Sequence, residues 1–132
     1  MKKILVIDDN AANRELIVSI LGEKVVCDQS ETGKDGVRKF TDAFSSPEPF
    51  DLVLLDIGMP DINGLTVLFE IRQLEGTSRG VQNKQTPVVI ITAYTVLSAE
   101  AQRLGCTDYL VKPILPRKLF ETIEKYLGPM PA

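Results

Sequence analysis

The sequence predicts an α/β fold, a (βα)5 chain arranged as an open, doubly wound, five-stranded parallel sheet. Three observations predict it. Short apolar runs rich in valine and isoleucine alternate with segments of helical periodicity. Clusters of glycine, proline and serine separate the two kinds of segment. Strands that alternate with helices pair in parallel, because each helix carries the chain back across the sheet.

The five predicted strands are short apolar runs, the pattern that is typical of strands buried on both faces. They comprise residues 4–7, 25–27, 52–55, 88–91 and 109–111.

The predicted helices are segments whose apolar residues recur every three or four positions. Four of them carry these stripes: Leu16, Ile17, Ile20 and Leu21; Val37, Phe40 and Phe44; Leu65, Leu68 and Ile71, with Arg72 beside them; Leu119, Ile123 and Leu127. A short helix over 96–104 would complete the set. Gly22 follows the first helix, where a left-handed cap favours glycine.

Length and composition narrow the function classes. With 132 residues, we expect one domain over 1–128 and a short tail over 129–132, with no output domain after the last helix. The net charge of −3 disfavours a general electrostatic grip on nucleic acid, so we expect no direct DNA binding. The absence of histidine excludes histidine bases, ligands and phosphorylation sites in this chain.

The sequence also predicts a soluble, cytoplasmic protein. No apolar run approaches the roughly 20 residues of a membrane span, and no export signal is recognisable. We interpret Cys27 and Cys106 as small buried hydrophobes in a reducing compartment, since they are far apart and form no metal-binding or redox motif.

Polar residues follow four of the five predicted strands, where open α/β sheets form their sites. Any one of them alone is more typical of a helix cap, a turn or a strand end. Together they bring three carboxylates, a hydroxyl and an ammonium to one edge: Asp8, Asp9, Asp56, Thr92 and Lys112. Carboxylates that converge in this way need a compensating cation, and Mg²⁺ accepts two or three carboxylates plus water.

The charges at this edge suggest phosphoryl transfer. Three carboxylates are balanced by Mg²⁺ and Lys112, and the two cations would also neutralise the oxygens of a phosphoryl group in transfer. A carboxylate can act as the nucleophile that forms an aspartyl phosphate.

At these positions the chain resembles the response-regulator receiver family, over residues 3 to about 127. The resemblance rests on four motifs: VIDDN at 6–10, LDIGMPDING at 55–64, ITA at 91–93 and DYLVKP at 108–113. It implies a flavodoxin-like strand order, 2-1-3-4-5. It also implies a phosphoacceptor switch of a two-component phosphorelay that undergoes stoichiometric phosphorylation and is not an enzyme in the ordinary sense.

The resemblance implies a role for each matching position. Asp56 is expected to be the phosphoacceptor. Asp9, Asp56 and the Gly58 carbonyl would bind Mg²⁺ directly, and Asp8 through a metal-bound water. Thr92 and Lys112 would contact the phosphoryl group, and the bond before Pro113 would be cis. Tyr109 would turn inward as part of the switch, although a half-buried strand tyrosine without that role remains an alternative.

The resemblance also implies partners. The donor would be a histidine kinase or histidine phosphotransfer protein. A downstream protein would read the face of the fourth helix, fifth strand and fifth helix. The protein is expected to be a monomer or weak dimer with no membrane contact. Two departures from the family pattern concern that face: the fourth helix is shorter than is usual in the family, and the 76–85 loop is longer.

Two further positions in the family tune the lifetime of the phosphoryl group, and here they hold Gly58 and Tyr94. Neither offers an acid or amide to position an attacking water, and Tyr94 would shield the site, so we expect slow self-dephosphorylation.

Three other classes of protein share part of this pattern. A haloacid-dehalogenase-like phosphatase needs a second acid at the Gly58 position and a cap domain. In a flavodoxin-like flavin binder, Asp8 and Asp9 would repel the flavin phosphate. A pseudo-receiver that acts without phosphorylation remains the alternative function.

Overall fold

The predicted alternation of strands and helices is present in the computed structural model, which describes residues 1–58, 63–77, 85–93 and 98–131. A 3-10 turn at Gly22–Lys24 follows the first helix. The elements in chain order are β1 (Lys3–Ile7), α1 (Ala11–Leu21), β2 (Val26–Ser30), α2 (Gly33–Phe44), β3 (Leu52–Asp56), α3 (Gly64–Thr77), β4 (Val88–Thr92), α4 (Ala99–Arg103), β5 (Asp108–Val111) and α5 (Pro116–Leu127).

The five strands form one parallel sheet in the order β2-β1-β3-β4-β5, so the expected 2-1-3-4-5 order is confirmed. At the carboxyl ends of the strands, Ile7 pairs with Leu55, Asp56 with Ile91, and Thr92 with Val111. This register places the residues that end β3 and β4 at one edge of the sheet.

The core has two layers, one on each face of the sheet, because successive strand side chains point to opposite faces. One layer packs Leu5, Ile7 and Leu55 against the buried side chains of α2 and α3. The other packs the alternate strand residues, such as Val6 and Leu54, against α1 and α5. Central strands β1, β3 and β4 are thus covered on both faces, as their apolar sequences predict.

The second strand is longer and more exposed than the sequence predicts. It runs over Val26–Ser30 rather than 25–27, and Val26 is 48% exposed. As an edge strand it pairs only with β1 in the described part of the sheet, so it tolerates polar residues such as Asp28 and Gln29. The apolar run therefore marks only part of this strand.

Three details of the helices also differ from the prediction. Leu16 is 43% exposed, because α1 buries the narrower stripe of Ile17 and Leu21. Arg72 lies beside the apolar stripe of α3, but its guanidinium is mostly buried. The fourth helix spans Ala99–Arg103 rather than 96–104, and residues 94–97 lie outside the described part of the chain.

Both cysteines are free and partly buried in the described structure. Burial raises the pKa of the Cys27 thiol to about 11, and burial also raises the pKa of Cys106. Both thiols therefore stay protonated at neutral pH, in keeping with their interpretation as small hydrophobes. Among the described helices, none is long and apolar enough to cross a membrane.

Candidate functional site

The predicted site residues gather at the carboxyl edge of the sheet. Asp8 follows β1 directly, Asp56 and Thr92 are the last residues of β3 and β4, and Lys112 follows β5. Carboxylate oxygens of Asp8, Asp9 and Asp56 lie within 4.8 Å of one another. Parallel strands that end together thus bring side chains from distant parts of the sequence into one cluster.

Asp56 lies at the centre of the cluster and is 4% exposed. Its Oδ1 atom accepts a hydrogen bond from Lys112 Nζ at 3.3 Å and another from the Gly58 N–H at 3.3 Å. The ammonium and the backbone dipole therefore converge on one carboxylate oxygen, which stabilises its negative charge.

Asp8 is fully buried and only half satisfied. Its Oδ1 atom accepts the Asn10 N–H at 2.9 Å, whereas its Oδ2 atom has no hydrogen-bond partner among the described residues. Burial raises the pKa of this carboxyl, and the charge of Asp56 raises it further, against the opposing effect of the Asn10 N–H. A buried carboxylate oxygen without a donor is a strong site for a cation.

The donor set fits Mg²⁺. Three carboxylates offer hard oxygen ligands, two of them buried and one, Asp9, exposed to water. Mg²⁺ retains several of its waters when it binds to a protein, so a site that combines buried acids with an exposed one suits it. The unpartnered Oδ2 atom of Asp8 is the structural observation that favours this interpretation.

Local sequence explains the shape of the first loop. Asn10 is the N-cap of α1, and its side chain accepts the Asn13 N–H at 3.0 Å. Its own N–H is directed to Asp8, so the same residue begins the helix and orients the acid. Asn10 belongs to the VIDDN motif, but the motif alone does not indicate that it orients Asp8. The signal for that role is the position of a cap-type residue directly after the acids.

The loop after β3 depends on a close approach of α3. The Gly64 N–H donates to the Ile57 carbonyl at 3.3 Å. A Cβ atom at Gly64 would lie 2.5 Å from Ile57 Cα and 2.8 Å from the Asp56 carbonyl oxygen. Only glycine lets the helix start this close to the strand that carries Asp56.

Thr92 is the last residue of β4, and Tyr109 lies on the neighbouring strand β5. Thr92 is 5% exposed, and its carbonyl accepts the Lys112 N–H at 2.7 Å. Tyr109 is partly buried against the core layer of α2 and α3. The Lys112–Pro113 peptide bond is cis.

Gly58 is exposed beside Asp56, and a Cβ atom there would lie 3.8 Å from the Asp56 Oδ1 atom. Tyr94, the other position expected to tune the lifetime of the phosphoryl group, lies outside the described residues, as do residues 59–62 and 78–84. Gly76 and Thr77, which the sequence predicts in the 76–85 loop, belong to α3 instead. The structure therefore assembles the acids, Thr92, Lys112 and Gly58, and leaves the expectation for Tyr94 as a prediction.

Comparison with known proteins gives a consistent result. The family model of the response regulator receiver domain matches residues 4–124. Hybrid signal transduction histidine kinase G of Dictyostelium discoideum is 35% identical over 133 residues. The match covers 97% of this chain but 4% of that protein, so the chain spans only a small part of that curated relative.

Two solved structures share the fold. One is a complex of the Saccharomyces cerevisiae histidine phosphotransfer protein Ypd1 with the receiver domain of the response regulator Ssk1. It gives a TM-score of 0.82 at 24% identity, over 95% of this chain and 88% of that one. The other is the receiver domain of the sensor histidine kinase PA1611 of Pseudomonas aeruginosa, with magnesium coordinated in its active-site cleft. It gives a TM-score of 0.77 at 22% identity, over 97% and 98% of the two chains.

Proposed function

The chain belongs to the response regulator receiver family of two-component signalling, and from that premise we propose that it is a Mg²⁺-dependent phosphoacceptor switch whose acceptor is Asp56. The convergence of three carboxylates within 4.8 Å, with Lys112 Nζ at 3.3 Å from Asp56, carries this proposal. The donor is a histidine kinase or histidine phosphotransfer protein. The magnesium in the PA1611 receiver domain and the Ypd1 complex of the Ssk1 receiver domain support the proposal by analogy.

The transfer is a nucleophilic displacement at phosphorus. A carboxylate oxygen of Asp56 attacks the phosphorus atom of the donor phosphohistidine, the P–N bond breaks, and the leaving imidazole nitrogen keeps the electron pair. Bound Mg²⁺ supplies charge neutralisation for the phosphoryl oxygens. Asp8 and Asp9, with Asp56 and the Gly58 carbonyl, are the residues that would hold it.

Lys112 has two tasks in this proposal. Before transfer its ammonium lies 3.3 Å from Asp56 Oδ1 and orients the carboxylate. After transfer its ammonium pairs with a phosphoryl oxygen, because the Asp56 oxygen bonded to phosphorus in the acyl phosphate no longer carries a negative charge. Its side chain is 35% exposed, so it can follow the phosphoryl group outward.

The switch follows from contacts that exist in one state only. The phosphoryl group brings acceptor oxygens that Thr92 and Lys112 contact only after transfer, which shifts the population toward a conformer that favours those contacts. Movement of Thr92 leaves room for Tyr109 on the neighbouring strand. The altered surface is the face of α4, β5 and α5, which a downstream protein reads. The protein acts stoichiometrically, and slow self-dephosphorylation is the proposed consequence of Gly58 and Tyr94.

Phosphorylation by a small donor tests the proposal. Wild type, Asp56→Asn and the control Asp42→Asn are incubated with acetyl phosphate and Mg²⁺, and their intact masses are measured. Asp42 is a suitable control because its side chain is exposed on α2, away from the site. Wild type and Asp42→Asn are expected to gain one phosphoryl group, and Asp56→Asn none.

Two results would contradict the proposal. If Asp56→Asn gains a phosphoryl group as wild type does, the acceptor is another residue. If wild type gains none in the presence of Mg²⁺, the protein is better described as a pseudo-receiver that acts through binding alone.

A further inference from the structure

We propose that Arg14 is a positioning residue of the acidic site, which fixes the peptide between Asp8 and Asp9 in the orientation that cation binding requires. This inference rests on the proposed function and assigns a further residue to the same site.

Arg14 reaches the site from the first turns of α1. Its Nη1 atom donates a hydrogen bond to the main-chain carbonyl of Asp8 at 2.6 Å, in a partly buried position. Its own N–H donates to the Asn10 carbonyl at 3.2 Å, so its backbone is held by the helix while its side chain turns back to the strand end. Hydrogen bonds from a guanidinium are shorter and about twice as strong as those between neutral groups.

The carbonyl that Arg14 binds belongs to the peptide that joins the two acids. Fixing this oxygen fixes the backbone rotation between Asp8 and Asp9. Asp9 needs this control because its side chain is exposed and packing does not set its direction. Without the guanidinium, the peptide plane would be free to rotate and Asp9 would sample orientations away from Asp56.

Arg14 completes a set of three anchors on Asp8. The Asp8 N–H donates to the Ser30 carbonyl at 3.0 Å, and Asp8 Oδ1 accepts the Asn10 N–H at 2.9 Å. With its main-chain carbonyl bound by Arg14, Asp8 retains Oδ2 as the side-chain atom without a partner in the described structure. The anchors thus hold the residue still and leave an oxygen for a cation.

The chemistry of the contact suits this task. Arg14 binds the neutral carbonyl of Asp8, so this bond leaves the carboxylate oxygens available. Residues that orient metal ligands in this way contribute about tenfold or more to metal affinity.

The test measures Mg²⁺ binding itself, by titration calorimetry of the full chain with MgCl₂. Arg14→Met keeps the apolar stem and removes the donors, and Arg14→Gln is a second variant whose side chain is too short to span the contact. Both are expected to bind Mg²⁺ about tenfold more weakly than wild type. Arg38→Met is the matched control, because Arg38 is 61% exposed on α2 and pairs with Asp35 and Asp42; its affinity is expected to equal that of wild type.

Separate measurements distinguish a positioning role from a structural one. Stability in EDTA, by urea unfolding, reports the structural contribution of Arg14 apart from the cation. If the Arg14 variants lose stability in EDTA but bind Mg²⁺ as wild type does, the inference is overturned. If Arg14→Met does not fold, Arg14→Gln provides the comparison.

Rescue by the conservative variant sharpens the result. Arg14→Lys retains a cationic N–H donor on a long stem and is expected to regain part of the lost affinity; an affinity as low as that of Arg14→Met contradicts the inference. If wild type is phosphorylated and binds Mg²⁺, but the Arg14 variants bind Mg²⁺ with the same affinity, only this inference is contradicted and the proposed function stands. If wild type binds no Mg²⁺, the metal site of the proposed function is contradicted as well.

Discussion

At the scale of single residues, the site depends on positions that carry no catalytic chemistry. The Asn10 side chain caps α1, and the Asn10 backbone N–H orients Asp8. Gly64 permits the contact between the start of α3 and the end of β3. Both residues stand inside the motifs that identify the site, and the structure shows that they shape the loops that carry Asp8 and Asp56.

The tight contact at Gly64 predicts a large effect of a single methyl group. Gly64→Ala is expected to destabilise the protein by about 1–3 kcal/mol, because the Cβ atom meets backbone atoms that cannot yield without moving β3. The matched control is Gly76→Ala in the same helix, where no atom of the described residues lies within 4 Å of the new Cβ atom.

Alanine is the better helix former, so Gly76→Ala is expected to be neutral or stabilising by up to about 1 kcal/mol. Urea unfolding of both variants measures the difference. Equal effects of the two substitutions would show that the close approach at Gly64 is not tight in solution.

At the scale of secondary-structure elements, a buried polar cluster joins α3 to the strands beside it. Arg72 Nη1 lies 2.7 Å from Glu75 Oε1 and donates to the Thr86 carbonyl at 2.9 Å, while Arg72 Nε donates to the Gly105 carbonyl at 3.0 Å. Glu75 Oε2 accepts the Thr86 N–H at 2.6 Å. The two side chains are 11% and 7% exposed. This cluster ties the end of α3 to the start of β4 and to the turn after α4.

The burial of this cluster predicts that the stability of the protein depends strongly on both Arg72 and Glu75. Arg72→Met is expected to cost about 3–5 kcal/mol, because it leaves the Glu75 carboxylate buried without its counter-charge. Arg38→Met, which breaks exposed ion pairs, is expected to cost no more than about 1 kcal/mol.

A double-mutant cycle with Glu75→Gln measures the coupling. Because removal of the acid relieves the unpaired charge, the double variant is expected to lose less stability than the two single variants together. Strict additivity of the two losses would argue that Arg72 and Glu75 do not act as a pair.

The shortness of α4 indicates why the buried cluster around Arg72 matters for the stability of this region. In the described residues α4 spans only Ala99–Arg103, with Ala101 as its fully buried side chain. A helix this short contributes little packing of its own. Arg72, which binds the carbonyl that follows α4, therefore supplies an anchor for the face that we propose the phosphoryl group alters.

At the scale of the whole molecule, stability and charge are linked through the acidic edge. The chain has a net charge of −3, yet three carboxylates gather at one end of the sheet around one lysine. Two of the three are buried. The fold thus carries a local excess of negative charge whose cost depends on protons and cations in solution.

Because the pKa of Asp8 is raised, the contribution of this residue to the stability of the fold depends on pH. The folded state holds the Asp8 proton more tightly than the unfolded state does. The free energy of unfolding therefore falls as the pH rises from the ordinary pKa of an aspartate to the raised pKa of Asp8 in the folded protein. In EDTA at neutral pH, Asp8→Asn is therefore expected to be more stable than wild type, and the difference is expected to vanish at acid pH. Mg²⁺ at 100 times its dissociation constant is expected to stabilise wild type by about 2.7 kcal/mol, and Asp8→Asn by less.

Urea midpoints across the pH range, with and without Mg²⁺, measure these differences. Asp42→Asn, an exposed acid on α2, is the control and is expected to follow wild type throughout. An Asp8→Asn variant that is less stable than wild type in EDTA at neutral pH would mean that the buried charge is already compensated by the protein.

The pattern of residues by itself determined the doubly wound parallel sheet and the set of residues at its carboxyl edge, whereas the strand order was implied by the resemblance of the motifs to a known family. This was possible because strands buried in a parallel sheet have short apolar sequences, and because the residues that end such strands meet at one edge of the sheet. Tertiary structure alone decided the extent of β2, the exposure of Leu16 and the burial of Arg72. These depend on which neighbour covers a residue, which local periodicity does not record.

The same division holds within the site. The motifs name Asp8, Asp9, Asp56, Thr92 and Lys112, but only the fold leaves one oxygen of Asp8 buried without a donor and places the Arg14 guanidinium on the peptide between the first two acids. A hydrogen bond forms only within a narrow range of distances and angles. Sequence spacing brings groups to the same edge, and packing sets their distances.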